Sequence, residues 1–349
     1  MRIEEKTEWF RHFMEGRQEL RDAHPPPIYT HFVNPCSEIT FRATGAYCVI
    51  GNVNLYACKT AASTHKAIKL LVRSLIRVNL MPALYSEEVK RTNRIGVGLT
   101  GIFEWLYVTS KKYNWAQRDQ TDFLNRLSGT AKKEAASYSK KLGVVSPATV
   151  TMIAPTGTVS KLFGLTEGAH PPAYLFYVRW VQFGENDPNL QDLMAKGYPA
   201  RPLESQADRW IVGFPTRTEL ARISKGKDIE CAGDWTPKQH FEWVQTLEEE
   251  WLGFRKANQV SYTLKYSPEN TSFKQFQEML KEYMPTVKCC SVMQEADKSA
   301  YEYLPEQKVT WAAYQAIEAR IKTKASEESV DRSHVDCGAG GCPIDFKET

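Results

Sequence analysis

Residues 46–57 read AYCVIGNVNLYA, and residues 68–76, a few positions further on, read IKLLVRSLI. The first stretch, with Val49, Ile50, Val53 and Leu55, is strand-like. In the second, Ile68, Leu71, Val72, Leu75 and Ile76 recur at three- and four-residue spacing, which predicts an amphipathic helix. The same strand-then-helix unit recurs on both sides. Upstream, a helix over about residues 4–23 ends at Pro25-Pro26-Pro27, and IYTHFV (28–33) reads as a strand leading into a loop at Asn34-Pro35. Downstream, a helix over 118–142 stops at Gly143. TVTMIA (149–154) is a short strand that runs into the turn Pro155-Thr156-Gly157-Thr158, and WIVGF (210–214) is a buried strand. Thr236-Pro237 opens a helix that runs to about Phe254, as an N-cap followed by proline at the first helical position should. VSYTLKY (260–266) and TVKCCSVM (286–293) read as strands, and TWAAYQAIEARI (310–321) as the last helix. Such alternation predicts an α/β fold with substantial parallel sheet. From Lys324 the chain turns polar and carries Gly338, Gly340 and Gly341, so residues 324–349 read as a flexible tail.

A chain of 349 residues is long enough for one large α/β domain or two medium ones. With 42% hydrophobic and 25% charged residues, its composition is that of an ordinary soluble globular protein. The net charge of +4 is small, and the basic residues interleave with acidic and polar ones, so nucleic-acid binding is not indicated. No run approaches the length of a membrane span, and the first twenty residues lack the apolar core of a secretory signal. The expected location is the cytoplasm. Eight cysteines in such a chain point to reduced thiols, metal ligands or redox chemistry rather than to a disulfide scaffold.

Three groups of residues bear chemistry. Asn34-Pro35-Cys36-Ser37-Glu38 sits at a strand-to-loop transition; if the extended conformation persists, Asn34, Cys36 and Glu38 point the same way and set an amide, a thiol and a carboxylate against one ligand. The plainer reading is a loop with a buried cysteine and a solvated glutamate. Cys48 lies ten residues beyond Glu38, within reach of a folded-back loop. Cys337 and Cys342 are separated by Gly-Ala-Gly-Gly in the tail, which suits a dithiol delivered by a swinging arm; half of a zinc site is the alternative. Cys289 and Cys290, adjacent in a predicted strand, make a poor second half. Pro155, Thr156, Gly157, Thr158 and Ser160 follow an apolar strand and precede a short helix, where backbone N–H groups and hydroxyls favour phosphate, although an ordinary turn fits the local sequence equally. Gly96-x-Gly98-x-x-Gly101 matches a dinucleotide fingerprint on paper, but the polar KRTNRI before it cannot be the buried first strand, and close backbone packing is the better reading.

Together NPCSEI (34–39), CVIGNVNL (48–55), NRIGVGLTGI (93–102), APTGTVSKLFGLTEGAHPP (154–172) and CGAGGCPI (337–344) resemble, in the same order, the ribonucleotide reductase large chain. The likeness is closest to the monomeric adenosylcobalamin-dependent class, which reduces ribonucleoside triphosphates. The resemblance implies the C-terminal half of a ten-stranded α/β barrel with a finger loop. Residues 1–27 then form an N-terminal helix and proline linker, 28–323 the catalytic half-barrel, and 324–349 the redox tail. It implies that Cys36 becomes the thiyl radical that removes the ribose 3′ hydrogen. Glu38 takes the 3′-hydroxyl proton, Asn34 hydrogen-bonds the sugar hydroxyls, and Cys48 supplies one of two reducing thiols. The 155–160 loop holds the substrate phosphates, while Cys337 and Cys342 restore the dithiol. Adenosylcobalamin is the implied cofactor and a thioredoxin-like protein the implied reductant. The chain has no adjacent Tyr-Tyr pair, which disfavours the class that receives its radical from an iron-containing subunit.

The family's barrel begins well before its finger loop, and here only residues 1–27 precede the likeness. The expectation is one component of a split enzyme, paired with a separately encoded N-terminal fragment, or a truncated chain. Two other readings stand beside it, a non-catalytic remnant that serves as a binding surface and a zinc-binding module.

Overall fold

The computed structural model describes residues 31–42, 47–110, 118–226, 229–253, 255–288, 291–294 and 301–324. The opening helix expected over residues 4–23 and the tail with Cys337 and Cys342 lie outside these residues, as do Cys289 and Cys290. The chain divides into two compact units, one of residues up to Ala173 with Arg222–Glu295, the other of Tyr174–Ala221 and residues from Ala296 onward.

In the first unit, β1 (His31–Val33) and β2 (Thr40–Arg42) form an antiparallel ribbon. The main sheet is parallel and four-stranded. It comprises β3 (Ile50–Asn54), β4 (Gly96–Thr100), β5 (Thr151–Ile153) and, later in the chain, Ala257–Val260, in that spatial order. Parallel neighbours need crossover connections, and helices supply them. Helix Ala61–Asn79 links β3 towards β4; its capping box between Thr60 and Ser63 satisfies first-turn N–H groups, and it buries Ile68, Val72, Leu75 and Ile76. Each such side chain contributes about 2 kcal/mol of burial. Helices Ile102–Ser110 and Arg118–Leu142 connect β4 towards β5, and the second of them packs on Ala61–Asn79.

The sequence places these elements well. Helix Arg118–Leu142 ends at Gly143, whose φ of +68° is left-handed. Thr236 caps helix Pro237–Thr246 with a capping box to Gln239, but the expected continuation to Phe254 is a π-helical turn, Leu247–Leu252. Lys132 Nζ and Thr151 Oγ1 both donate to the Leu252 carbonyl and secure that turn.

The second unit holds β6 (Phe176–Gly184), β7 (Ala200–Pro202) and β8 (Arg209–Arg217). With a later strand, Glu306–Lys308, they form an antiparallel sheet. WIVGF lies within β8, as expected. Its core gathers Phe183, Leu190, Leu193, Tyr198 and Val212. Helix Trp311–Lys324 is the expected last helix.

Counting on, Ala257–Val260 is β9, Thr263–Tyr266 is β10, Ser291–Gln294 is β11 and Glu306–Lys308 is β12. VSYTLKY is therefore two strands rather than one. Ser261 N–H donates to the Ile153 carbonyl, Tyr262 is buried, and the chain leaves the main sheet to pair β10 in parallel with β11. Among the described residues, no helix is long and apolar enough to cross a membrane.

Candidate active site

Residues 34–39 join the two strands of the β1–β2 ribbon. They do not stay extended, so the expected same-side projection of positions 34, 36 and 38 along a strand is replaced by a turn. Ser37 N–H donates to the Asn34 carbonyl (2.8 Å), Pro35 occupies the second turn position that its fixed φ suits, and Ser37 has a φ of +63°. The side-chain oxygen of Asn34 accepts from Ile39 N–H (3.0 Å), which closes the loop and leaves Nδ2 facing Cys48 Sγ at 3.6 Å. Cys48 Sγ stands 3.9 Å from Glu38 Oε1. The turn thus brings Asn34, Glu38 and Cys48 together by a route that alternation does not describe.

Glu38 is 1% exposed, whereas Cys36 and Cys48 are exposed. The solvated glutamate and buried cysteine of the plainer loop reading are thereby reversed. Glu38's carbonyl accepts from Gln259 N–H in β9 (3.0 Å), so the loop is tied to the main sheet, and Ile39 packs with Met152 and Ala154. Partial burial, then the Glu38 carboxylate, raises the Cys36 pKa. The same two causes, with Cys36 as a smaller third, push Cys48 up to about 11 against an opposing hydrogen bond from Asn34. Both sulfurs are therefore thiols at neutral pH, with S–H hydrogens to give.

The second site element starts at Ala154. Thr156 has a φ of +55° and opens the short helix Gly157–Leu162, whose first N–H groups lack intrahelical partners. Ser160 is fully buried; its hydroxyl bonds Thr156 Oγ1 (2.7 Å) and Thr100 Oγ1 (2.6 Å). It braces the loop from below, while Thr158 is exposed and Pro155, Thr156 and Gly157 are half-buried. Thr100 also donates to the Thr166 carbonyl (3.3 Å), and the fully buried Glu104 accepts from Thr166 N–H (2.9 Å) and Oγ1 (2.7 Å). Gly168 has a φ of +52° and lies so close to the Ala154 carbonyl that no β-carbon fits. His170 Nδ1 faces the Glu167 carbonyl (3.2 Å) while Nε2 accepts from Thr263 N–H (3.0 Å), which fixes a neutral Nδ1–H imidazole. Burial holds its pKa down at about 4.

β4 connects the two. Its glycines lie inside a wholly buried strand, not in a loop after one, so the dinucleotide fingerprint is a strand that needs close packing. A β-carbon at Gly96 would meet Met152, Ile39 and Ile50 within 2.8 Å. Thr100, Glu104 and the Thr166 anchor escaped the sequence reading; the signal available was the two-residue spacing of positions 96, 98 and 100. Among the described residues, no group of three His, Cys, Asp or Glu side chains is arranged to hold a metal.

Comparison with known proteins shows what the chain is similar to. Residues 30–147 match the family described as ribonucleotide reductase, barrel domain. A putative adenosylcobalamin-dependent ribonucleoside-triphosphate reductase of Mycobacterium phage D29 is 28% identical over 89% of this chain and 46% of its own length. The adenosylcobalamin-dependent ribonucleoside-triphosphate reductase of Levilactobacillus brevis is 26% identical over 95% of this chain and 47% of its own. The crystal structure of a B-12 dependent, class II ribonucleotide reductase superposes with a TM-score of 0.73 at 22% identity, covering 84% of this chain and 42% of that one. The chain spans about half the length of the curated relatives it matches. Its α/β fold is that of the ribonucleotide reductase barrel, and the likeness to the adenosylcobalamin-dependent reductases runs over most of its length.

Proposed function

We propose that this chain is the C-terminal component of an adenosylcobalamin-dependent ribonucleotide reductase and carries its thiyl-radical site, acting on ribonucleoside triphosphates. The observation that carries the reading is the convergence of Asn34, Glu38 and Cys48 beside the exposed thiol of Cys36. A carboxylate that is buried and a sulfur that stays protonated suit hydrogen-atom chemistry better than nucleophilic chemistry, which needs the thiolate.

In this reading Cys36 becomes the thiyl and removes the 3′ hydrogen of the ribose. Glu38 takes the 3′-hydroxyl proton, and the 2′-hydroxyl takes a proton from the Cys48 thiol and leaves as water. Cys48 and the second reducing thiol supply two electrons and the hydrogen for C2′ as they become a disulfide. Glu38 and Cys36 then return the proton and the 3′ hydrogen. Asn34 holds the sugar through Nδ2, its oxygen being committed to Ile39. Thr156, Gly157 and Thr158, with Pro155 shaping the turn and Ser160 bracing it, receive the phosphates. Bound adenosylcobalamin supplies the one-electron oxidising equivalent at Cys36, and the exposed position of that thiol at the tip of a turn fits such a neighbour. Cys337 and Cys342 return the oxidised site to the dithiol and are themselves reduced by a thioredoxin-like protein. A companion polypeptide provides the N-terminal part of the barrel.

Reconstitution tests this. The chain, an N-terminal reductase fragment, adenosylcobalamin, a dithiol and cytidine triphosphate should yield the deoxynucleotide, and Cys36→Ser should abolish it. A complex that forms yet makes no deoxynucleotide would favour the non-catalytic remnant.

A further inference from the structure

We infer that Lys161 is a substrate-binding residue of this site, its ammonium pairing with a phosphate group of the nucleotide, and that Glu167 is the counter-ion which that phosphate displaces. This rests on the function proposed above. The 155–160 loop offers hydroxyls and backbone N–H groups to a triphosphate but no positive charge. From Thr151 to Ala169 the only charged side chains are Lys161 and Glu167, and the fold brings these two together at the loop. Lys161 Nζ lies 3.0 Å from Glu167 Oε1. Glu167 Oε2 stands over Gly157, 3.3 Å from where a β-carbon would sit. One carboxylate oxygen thus faces the ammonium and the other faces the loop. Gly157 and Lys161 are four residues apart on helix Gly157–Leu162 and so share a face. Helical side chains lean towards the N-terminus, which leads the Lys161 stem back over Gly157. The chain's own anion is therefore seated where an incoming phosphate would meet both the loop and the lysine.

The backbone that carries Glu167 is fixed, whereas its carboxylate is not. On one side Thr166 is anchored to Glu104 through both its N–H and its hydroxyl, and on the other Gly168 is pressed against the Ala154 carbonyl. The Glu167 carbonyl itself accepts from His170 N–H (2.8 Å). The side chains of Lys161 and Glu167 are 28% and 38% exposed, so rotation about side-chain bonds alone can carry the carboxylate into water. An ion pair so open to solvent contributes little to stability. A phosphate group brings more charge than a carboxylate and makes the stronger, charge-assisted hydrogen bonds. Exchange of Glu167 for phosphate at Lys161 is therefore favourable, and it gives the two residues opposite effects on binding. A purely structural salt bridge would instead make the loss of either partner equivalent.

The test uses the complete reductase assembly reconstituted on the full chain, with equilibrium dialysis against radiolabelled cytidine triphosphate and, separately, cytidine. Lys161→Met should raise Kd for the triphosphate about tenfold. Glu167→Gln removes the competing negative charge and should lower it about fivefold. Lys161→Arg keeps the charge and should bind within about threefold of the wild type. None of these should change Kd for cytidine more than about twofold, because cytidine carries no phosphate. Thermal melting checks folding, and Lys161→Gln carries the comparison if the Met variant unfolds. Weaker triphosphate binding in Glu167→Gln, the mark of a structural ion pair, would overturn the assignment. Unchanged triphosphate binding in Lys161→Met, or an equal loss for cytidine, would overturn it too. A wild-type assembly that binds no triphosphate would instead remove the proposed function, and the assignment with it.

Discussion

Glu38 and the two sulfurs beside it behave as a unit whose electrostatics can be read out without turnover. Cys48 is exposed yet pushed up to about 11, by partial burial first and by the Glu38 carboxylate second. Alkylation of the Cys48 peptide by iodoacetamide, followed by mass spectrometry across a pH series, should therefore reach half its maximal rate near pH 11 rather than near the ordinary 9.0. Glu38→Gln removes the like charge and should shift the midpoint downward, though burial keeps it above 9.0. A midpoint at or below 9.0 in the wild type would contradict this account of the site. Asn34, Cys36, Glu38 and Cys48 stood out as candidates because an amide, thiols and a carboxylate crowded into one short stretch are unusual, although the local sequence favoured a plain loop and only the family resemblance proposed roles for them. The turn that unites them was not legible: extended alternation was the natural expectation, and Ser37 in a left-handed conformation carries no mark in the sequence. Thr100 was invisible for another reason: its value comes from a neighbour distant in the chain, Ser160.

Two elements set the 155–160 loop proposed to take the phosphates, and each yields a measurement. Thr100 at the end of β4 bonds Ser160 from beneath, so Thr100→Val leaves a buried hydroxyl short of a partner. It should cost about 1–2 kcal/mol in urea unfolding and weaken triphosphate binding several-fold. Unchanged stability and binding would show that the hydroxyl cluster does not shape the loop. The segment after the loop is tied to β10 by His170, which stacks on Tyr262, and Tyr262 meets His240 Nδ1 at 2.5 Å. Burial, the dominant cause, holds both imidazoles down at about 4, while the unfolded chain takes up protons near 6.5. Their neutral forms are lodged without penalty above about pH 6.5, and stability should fall as pH drops from there towards 4, by up to about 3 kcal/mol for each histidine. Urea midpoints at pH 7 and pH 5 check the sign, and His240→Gln should flatten the fall; a midpoint that rises on acidification would contradict it. At this scale helix Arg118–Leu142 and the Thr236 cap were readable from periodicity and cap chemistry. The break of VSYTLKY into β9 and β10 was not, because a strand that changes sheets keeps its alternation. Gly96 and Gly98 likewise diluted the apolar signal of a strand that is buried throughout.

Across the whole molecule, the alternation of strands and helices correctly announced a parallel sheet. It gave no sign that residues 174–221 belong to a separate compact unit with antiparallel pairing, since strand direction is set by long-range partners that local pattern does not encode. Among the described residues β3 pairs with β4 alone, which leaves its other edge open to a further strand. An open edge invites self-association, so the isolated chain should elute as oligomers in size-exclusion chromatography with light scattering, and an N-terminal reductase fragment should convert these to a defined complex. A monodisperse monomer would count against that assembly. The central claim is that Cys36 removes hydrogen from the 3′ carbon of a ribonucleotide. Its most direct test is the reduction rate of 3′-deuterated against unlabelled cytidine triphosphate in the reconstituted assembly. The account requires slower turnover of the deuterated substrate with the wild-type chain and no deoxynucleotide at all from Cys36→Ser; deoxynucleotide formed by the Ser variant would contradict it.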